Sequence, residues 1–349
     1  MNIEDKKIAI LSITKNGKKL GLKIKTKIPN AHLYYVKIDA VEEESDVIYI
    51  KEKLKEFVPK IFNEYDYIIF IMACGIVVRT IAPLINNKFL DPAILVIDEK
   101  GKNTISLLSG HVGGANEMTL YISSLIDSNS VITTATDVNN KSSLDMIAKN
   151  LNAYIYDFRN KVLKINSKLV NNEKVNLFID GDYNIDTRGF NLCKKDELNN
   201  LDDIIIISNK KDLKLTNTSI LKVVPRDIVI GIGCRRNIDK EYMINSLSDF
   251  LHKQNIDINS IKEIGSIDIK KDEEALINLG EYLNVPFKTF TVDEISKVDN
   301  LYDKSDWVKQ NVGVNSVAEP VAHLLSDGNL IIKKHKYNGI TFSVGRIKI

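Results

Sequence analysis

The sequence predicts an α/β protein, with two α/β domains of open, mainly parallel sheets flanking a smaller α+β middle domain. Three observations carry that expectation. Short β-branched and aromatic runs alternate with segments of helical spacing over residues 1–136, and the same rhythm returns over 225–349. One run, "DYIIFIMA", is apolar after its first residue, as a strand covered by helices on both faces requires. Residues 137–224 break the rhythm, being rich in Asn, Lys and Asp with short apolar runs. The expected domains are therefore 1–136, 137–224 and 225–349.

In chain order, "KKIAILSI" and "AHLYYVKI" read as strands on either side of a weak helix or turn, "NGKKLGLKIKTKI". "KEKLKEFVPKIFNEY" places Leu54, Phe57, Val58 and Ile61 on one helical face. The apolar strand follows, then a helix in "GIVVRTIAPLI", strands in "DPAILVID" and "NTISLLS", a helix through "ANEMTLYISSLI", and a closing strand "SVITTAT". The middle segment offers short strands in "AYIYDF", "KVNLFID" and "DIIIISN". Beyond it, "RDIVIGIGC", "IKEIGSID" and "PFKTFT" read as strands, and "DKEYMINSLSDFL", "KKDEEALINLGEYLN" and "SVAEPVAHLLSD" as helices. A hairpin turned at Asn338-Gly339 ends the chain.

Composition narrows the function classes. The 349 residues are 44% hydrophobic, enough for packed cores, and 48 basic against 46 acidic side chains give no charge bias toward nucleic acid. Cys74, Cys193 and Cys234 are odd in number and widely spaced, without metal-ligand spacing, which points to a reducing, cytoplasmic setting and no protein metal site. No signal peptide or membrane-length apolar run is expected.

Three strand ends carry residues suited to chemistry, and ligands of open α/β sheets collect beyond strand carboxyl ends. After the apolar strand come Cys74 and Gly75, with Arg79 a turn into the helix, a pattern that fits either an anion at a helix start or a tight turn with a solvated arginine. In "SLLSGHVGGANEMT", Ser109, Gly110, Gly113, Gly114 and Asn116 surround His111, which is either a proton carrier or a histidine that caps and packs the turn. In "GIGCRRN", Gly231 and Gly233 precede the adjacent Arg235 and Arg236, which suit carboxylates or simply face solvent. Pro320 fits a first helical turn, so Ser316 and Glu319 are expected at the mouth of that helix. Together these features suit a large ligand with several negative groups. No GxGxxG and no acidic residue placed to read a ribose supports a dinucleotide-dependent oxidoreductase.

The stretch "GIVVRTIAPLINNKFLDPAILVIDEKGKNTISLLSGHVGGANEMT" closely resembles the N-terminal signature of the CbiG family. "VIGIGCRRN", "EIGSIDIKKDEEAL", "GVNSVAEPVAHLL" and "KYNGITFSVGR" resemble its C-terminal domain. Ala318 stands where many relatives are expected to have cysteine. The resemblance implies a cobalt-precorrin-5A hydrolase of the anaerobic route to cobalamin. Such an enzyme opens a δ-lactone with water, releases acetaldehyde and leaves cobalt-precorrin-5B. It implies a cobalt-corrinoid partner bearing acetate and propionate groups, transient contact with neighbouring pathway methyltransferases, and no cofactor beyond the cobalt in the substrate. In that setting His111 is the expected base, with Asp98 or Asp91 as its carboxylate; Cys74 or Cys234 as nucleophile is the alternative. A non-catalytic corrinoid carrier or scaffold is the rival reading.

Overall fold

The computed structural model describes residues 3–36, 44–88, 90–215 and 220–349. The chain divides into two compact units, Met1–Lys141 and Ser142–Ile349.

The first unit is built on seven strands: β1 (Ile8–Ser12), β2 (His32–Val36), β3 (Ile48–Ile50), β4 (Tyr67–Ile71), β5 (Ala93–Ile97), β6 (Asn103–Leu108) and β7 (Asn129–Val131). They lie in the order β3-β2-β1-β4-β5-β6-β7. The last two residues of the expected second strand, 37 and 38, lie outside the described residues. The helices are α1 (Lys15–Lys25), α2 (Leu54–Ile61), α3 (Cys74–Ile81), α4 (Ala115–Ile126) and the single turn α5 (Ala135–Val138). Alternate residues of a strand face opposite sides of its sheet. Tyr67, Ile69 and Ile71 therefore join a core with Ile24, Met118 and Ile122 from α1 and α4. Ile68 and Phe70 join a second core with Phe57, Val58, Val77 and Ile81 from α2 and α3. Burial on both faces is why β4 carries no polar residue.

Strands β1 to β5 run parallel, but β6 returns antiparallel to β5 through a short turn, with Ile97 opposite Thr104 and Ile94 opposite Leu108. β7 then runs parallel to β6. The segments leaving β6 and β7 thus emerge at the edge where β4 and β5 begin, and those leaving β4 and β5 emerge at the other edge. Five residues of strand at about 3.3 Å each put the edges roughly 17 Å apart.

The second unit holds two sheets. Its first has β8 (Asn176–Ile179), β9 (Asn191–Leu192), β10 (Ile204–Ile207) and β11 (Ile220–Val223) in the order β11-β10-β8-β9, every pair parallel. Helices α6 (Leu144–Asn150) and α7 (Phe158–Val170) bury Leu144, Ile147, Val162 and Leu169 against it. This middle segment is α/β, where the sequence suggests α+β. "AYIYDF" is not a strand: Tyr154 makes one isolated bridge to Val224, and Phe158 already opens α7.

The second sheet has β12 (Ile228–Cys234), β13 (Ile261–Ile267), β14 (Phe287–Phe290), β15 (Leu330–Tyr337) and β16 (Ile340–Arg346) in the order β14-β13-β12-β16-β15. Gly339 adopts φ +80° at the hairpin turn, a conformation that favours glycine. Helices α8 (Lys240–Lys253) and α9 (Glu274–Leu283) cover one face with Met243, Leu247, Phe250, Leu276 and Leu279. After the short α10 (Val292–Ser296) and α11 (Asp306–Val312), α12 (Ala318–Leu325) covers the other with Val321 and Leu325. The fully buried Asp227, just before β12, accepts hydrogen bonds from Arg346 Nε at 2.6 Å, Tyr183 Oη at 3.0 Å and Asn209 Nδ2 at 3.2 Å. That network joins the middle segment to the C-terminal sheet. Among the described residues no helix is long and apolar enough to cross a membrane.

Candidate active site

His111 sits in the turn between β6 and α4. The turn closes on itself: Gly114 N donates to His111 O, Ala115 N to Ser109 O and Asn116 N to Gly110 O, all at 3.0–3.1 Å. Ser109 adopts φ +57° and Gly114 φ +88°. A Cβ on Gly110 would stand 2.7 Å from Asn116 Oδ1, one on Gly113 would stand 2.4 Å from Ser109 Cβ, and one on Gly114 would stand 2.7 Å from Tyr67 Oη. The space above these glycines is filled by the protein's own atoms. They tighten the loop.

The tight loop delivers His111 to a carboxylate. Its Nε2 lies 2.7 Å from Asp137 Oδ2, with Thr136 Oγ1 at 2.9 Å from the same nitrogen. A carboxylate only accepts, so Nε2 carries the proton and Nδ1 is the basic nitrogen of the neutral ring. Asp137 is held in turn by Asn116, whose Nδ2 donates to Asp137 Oδ2 and to Thr134 Oγ1 at 2.9 Å each. Asn116 is itself buried, its Oδ1 accepting from Ser106 Oγ at 2.6 Å. The imidazole is thus fixed in direction by a carboxylate and a hydroxyl, and the carboxylate is held in turn by an amide. This is the arrangement of a general base with its orienting partner.

The partners expected from sequence are placed differently. Asp98 follows β5 at the opposite edge, where it accepts from Lys100 N, Asn103 N and Asn103 Nδ2. Partial burial disfavours its charge, but those bonds hold its carboxyl below the usual carboxylate range. It shapes the β5–β6 turn, and the carboxylate in contact with His111 is Asp137. Asp91 is buried, with both carboxylate oxygens accepting from Asn86 N, while its carbonyl accepts from Ser109 Oγ at 3.0 Å. Ser109 therefore anchors the turn. Cys74 and Gly75 open α3 at the far edge with Asp98. The exposed Arg79 folds back over Gly75, where an added Cβ would meet its Nη1 at 3.4 Å.

In the second unit, Gly231 and Gly233 are packing positions. A Cβ on Gly231 would stand 2.0 Å from Ala318 O and 2.5 Å from Ala322 N, and Gly233 faces Val317 at 3.5 Å. They let α12 lie directly on β12. Burial pushes the Cys234 thiol up to about 11, which argues against a thiolate nucleophile there. Arg235 and Arg236 part company. Arg236 lines a cleft with the start of α8 and Glu273, and Arg235 lines another in front of α12. Ser316 and Glu319 line that second cleft, and both are buried. Pro320 lies in the first turn of α12.

Sequence reasoning missed Asp137, Thr136, Thr134 and Ser106. The signal was "TTATD", three hydroxyls and an acid after a short strand. A domain boundary drawn at 136/137 severed Asp137 from its histidine, whereas the compact unit runs on to Lys141.

Three family profiles match the chain: cobalamin synthesis G N-terminal over residues 56–137, cobalamin biosynthesis central region over 142–225, and cobalamin synthesis G C-terminus over 228–345. A cobalt-precorrin-5A hydrolase of Salmonella typhimurium is 40% identical over 85% of this chain and 90% of its own. A protein of the same name from Priestia megaterium is 28% identical over 97% and 94%. A solved structure of a cobalamin biosynthesis protein G homolog from Sulfolobus solfataricus is 25% identical, covers all of both chains and aligns with a TM-score of 0.41.

Proposed function

The chain belongs to the CbiG family of cobalt-precorrin-5A hydrolases, and from that premise we propose that it opens the δ-lactone of cobalt-precorrin-5A with water and releases acetaldehyde. The observation that carries the chemistry is the His111–Asp137 pair at 2.7 Å, in the segments that follow two neighbouring strands inside the N-terminal family segment. In this reading His111 Nδ1 takes a proton from water as it attacks the lactone carbonyl. Asp137 steadies the imidazolium that forms, and general-base help of this kind is typically worth about 10²–10⁴ in rate. The ring C–O bond breaks and leaves an alkoxide on the carbon that bears the methyl group. That alkoxide becomes the carbonyl of acetaldehyde as its bond to the macrocycle breaks, and the electron pair passes to the macrocycle. Cobalt belongs to the substrate, and no resident cofactor is invoked.

Three unpaired cysteines support a cytoplasmic setting. Handover of the product to a methyltransferase by transient contact belongs to the same reading. The test is anaerobic incubation with cobalt-precorrin-5A and an acetaldehyde trap. Wild type should release acetaldehyde, and His111→Gln should release almost none while remaining folded. Equal release from both would remove His111 from the mechanism. Release from neither, with the corrinoid still bound, would favour a carrier.

A further inference from the structure

The cleft in front of α12 has a built polar interior that the hydrolysis at His111 does not use. It encloses about 370 Å³, within the range of small-ligand sites. Its lining sets four cations, Arg235, Lys304, Lys334 and Lys336, against two carboxylates, Asp303 and Glu319. Lys334 is committed, with Asp303 Oδ2 at 3.2 Å and Glu319 Oε2 at 3.6 Å. Among the described residues, Arg235, Lys304 and Lys336 make no ion pair, so the cleft has cations to spare.

Two buried residues of the lining each carry a polar atom that makes no hydrogen bond. Glu319 is 3% exposed and Ser316 8% exposed, and neither Glu319 Oε2 nor Ser316 Oγ makes a hydrogen bond. Glu319 Oε1 accepts from Lys334 N at 3.2 Å, whereas Oε2 has only the Lys334 ammonium at 3.6 Å, beyond hydrogen-bond distance. Leaving a buried polar atom unpaired is costly, and native structures seldom do it without a reason. No side chain caps α12 either. Trp307, the sole tryptophan, is 62% exposed on the rim and offers a flat apolar face.

We propose that this cleft is a carboxylate-receiving subsite that takes one acetate- or propionate-bearing edge of the macrocycle, a role that rests on the corrinoid reading above. Arg235, Lys304 and Lys336 pair with the incoming carboxylates, and the Ser316 hydroxyl donates to one of them. Trp307 covers an apolar face of the ligand. The cleft is too small for a whole macrocycle, which is why the proposal concerns an edge.

The test uses the full chain and two probes read by isothermal titration calorimetry. One is dicyanocobyrinate, a corrin with free acetate and propionate carboxylates; the other is dicyanocobinamide, in which the acetates and the propionates are amidated. Wild type should bind the free acid at least tenfold more tightly, with binding weakening as salt rises. Arg235→Gln/Lys336→Gln should lose tenfold or more for the free acid and little for the amide, with an unchanged melting temperature. Ser316→Ala should lose a few-fold in the same direction. Equal affinity of wild type for the two corrins would overturn the subsite, as would unchanged free-acid binding in the double variant. Absence of acetaldehyde release, with carboxylate-dependent binding intact, would defeat the hydrolase reading and leave the subsite standing.

Discussion

The glycine-rich turn at His111 and the glycine-bearing strand β12 look alike in sequence and do opposite things. Both place glycines where a strand passes toward a helix. At Gly110, Gly113 and Gly114 the missing side chains let a loop fold tightly enough to hold Asn116, Ser109 and Tyr67 against its own backbone. The product of that tightness is a directed histidine. At Gly231 the missing side chain lets the backbone of α12 rest on the sheet, and the product is a packed layer. A glycine pattern therefore reports close approach, but whether it yields chemistry depends on what the approach delivers. The turn delivers His111 to Asp137; the strand delivers a helix to a sheet.

If that contrast is right, damage at the turn should appear as lost activity at constant stability, and damage at β12 as lost stability. The largest effect expected is on turnover. His111→Gln should lower acetaldehyde release by about 10²–10⁴, and Asp137→Asn should follow it in the same direction, with melting temperatures near wild type. A melting temperature that falls with the activity would blur the distinction between the two regions. Next in size is the fully buried Asp227 at the entrance to β12. Asp227→Ala strands Arg346 and should cost about 3–5 kcal/mol in urea unfolding. A loss well under 1 kcal/mol would mean that the network does not couple the middle segment to the C-terminal sheet.

Gly231→Ala and Gly233→Ala sharpen the comparison within one strand. The first drives a methyl into Ala318 O and should destabilise by about 1–3 kcal/mol or more. The second meets ordinary contact at 3.5 Å and should stay within about 0.5 kcal/mol. Equal effects would show that α12 can shift along the sheet.

A pH-dependent effect lies beneath the turn. Burial, aided by Glu117 and Asp66, pushes the Tyr67 phenol up to about 12 from its ordinary 10.0. A raised folded-state pKa contributes stability that is complete below pH 10 and lost as pH climbs toward 12. Thermal melts over that window should show a slope that Tyr67→Phe reduces. An identical slope in the variant would assign the alkaline loss to other groups.

Much of the fold was legible because the physics was local. The apolar run of β4, the helical spacing of Leu54, Phe57, Val58 and Ile61, and the Asn338-Gly339 turn each declare their state over a few residues. The middle segment was less legible. Its strands are two to four residues long, and "AYIYDF" has β-forming side chains that tertiary packing assigns to a bridge and a helix start. In the candidate site, His111 stood out by its glycines and Asn116 by its place in the first turn. Asp137 did not, because nothing within ten residues of it announces a partner 26 positions away.

The sequence by itself determined the α/β class, the strand-to-helix switches, the family and the histidine, since each rests on periodicity, composition or a contiguous motif. Only the tertiary structure decided which carboxylate serves that histidine. The reversal of β6 against β5 sends the His111 turn to one edge of the sheet and Asp98 to the other, and β7, parallel to β6, brings Asp137 alongside. Strand direction is set by long-range pairing, which no local stretch of residues encodes.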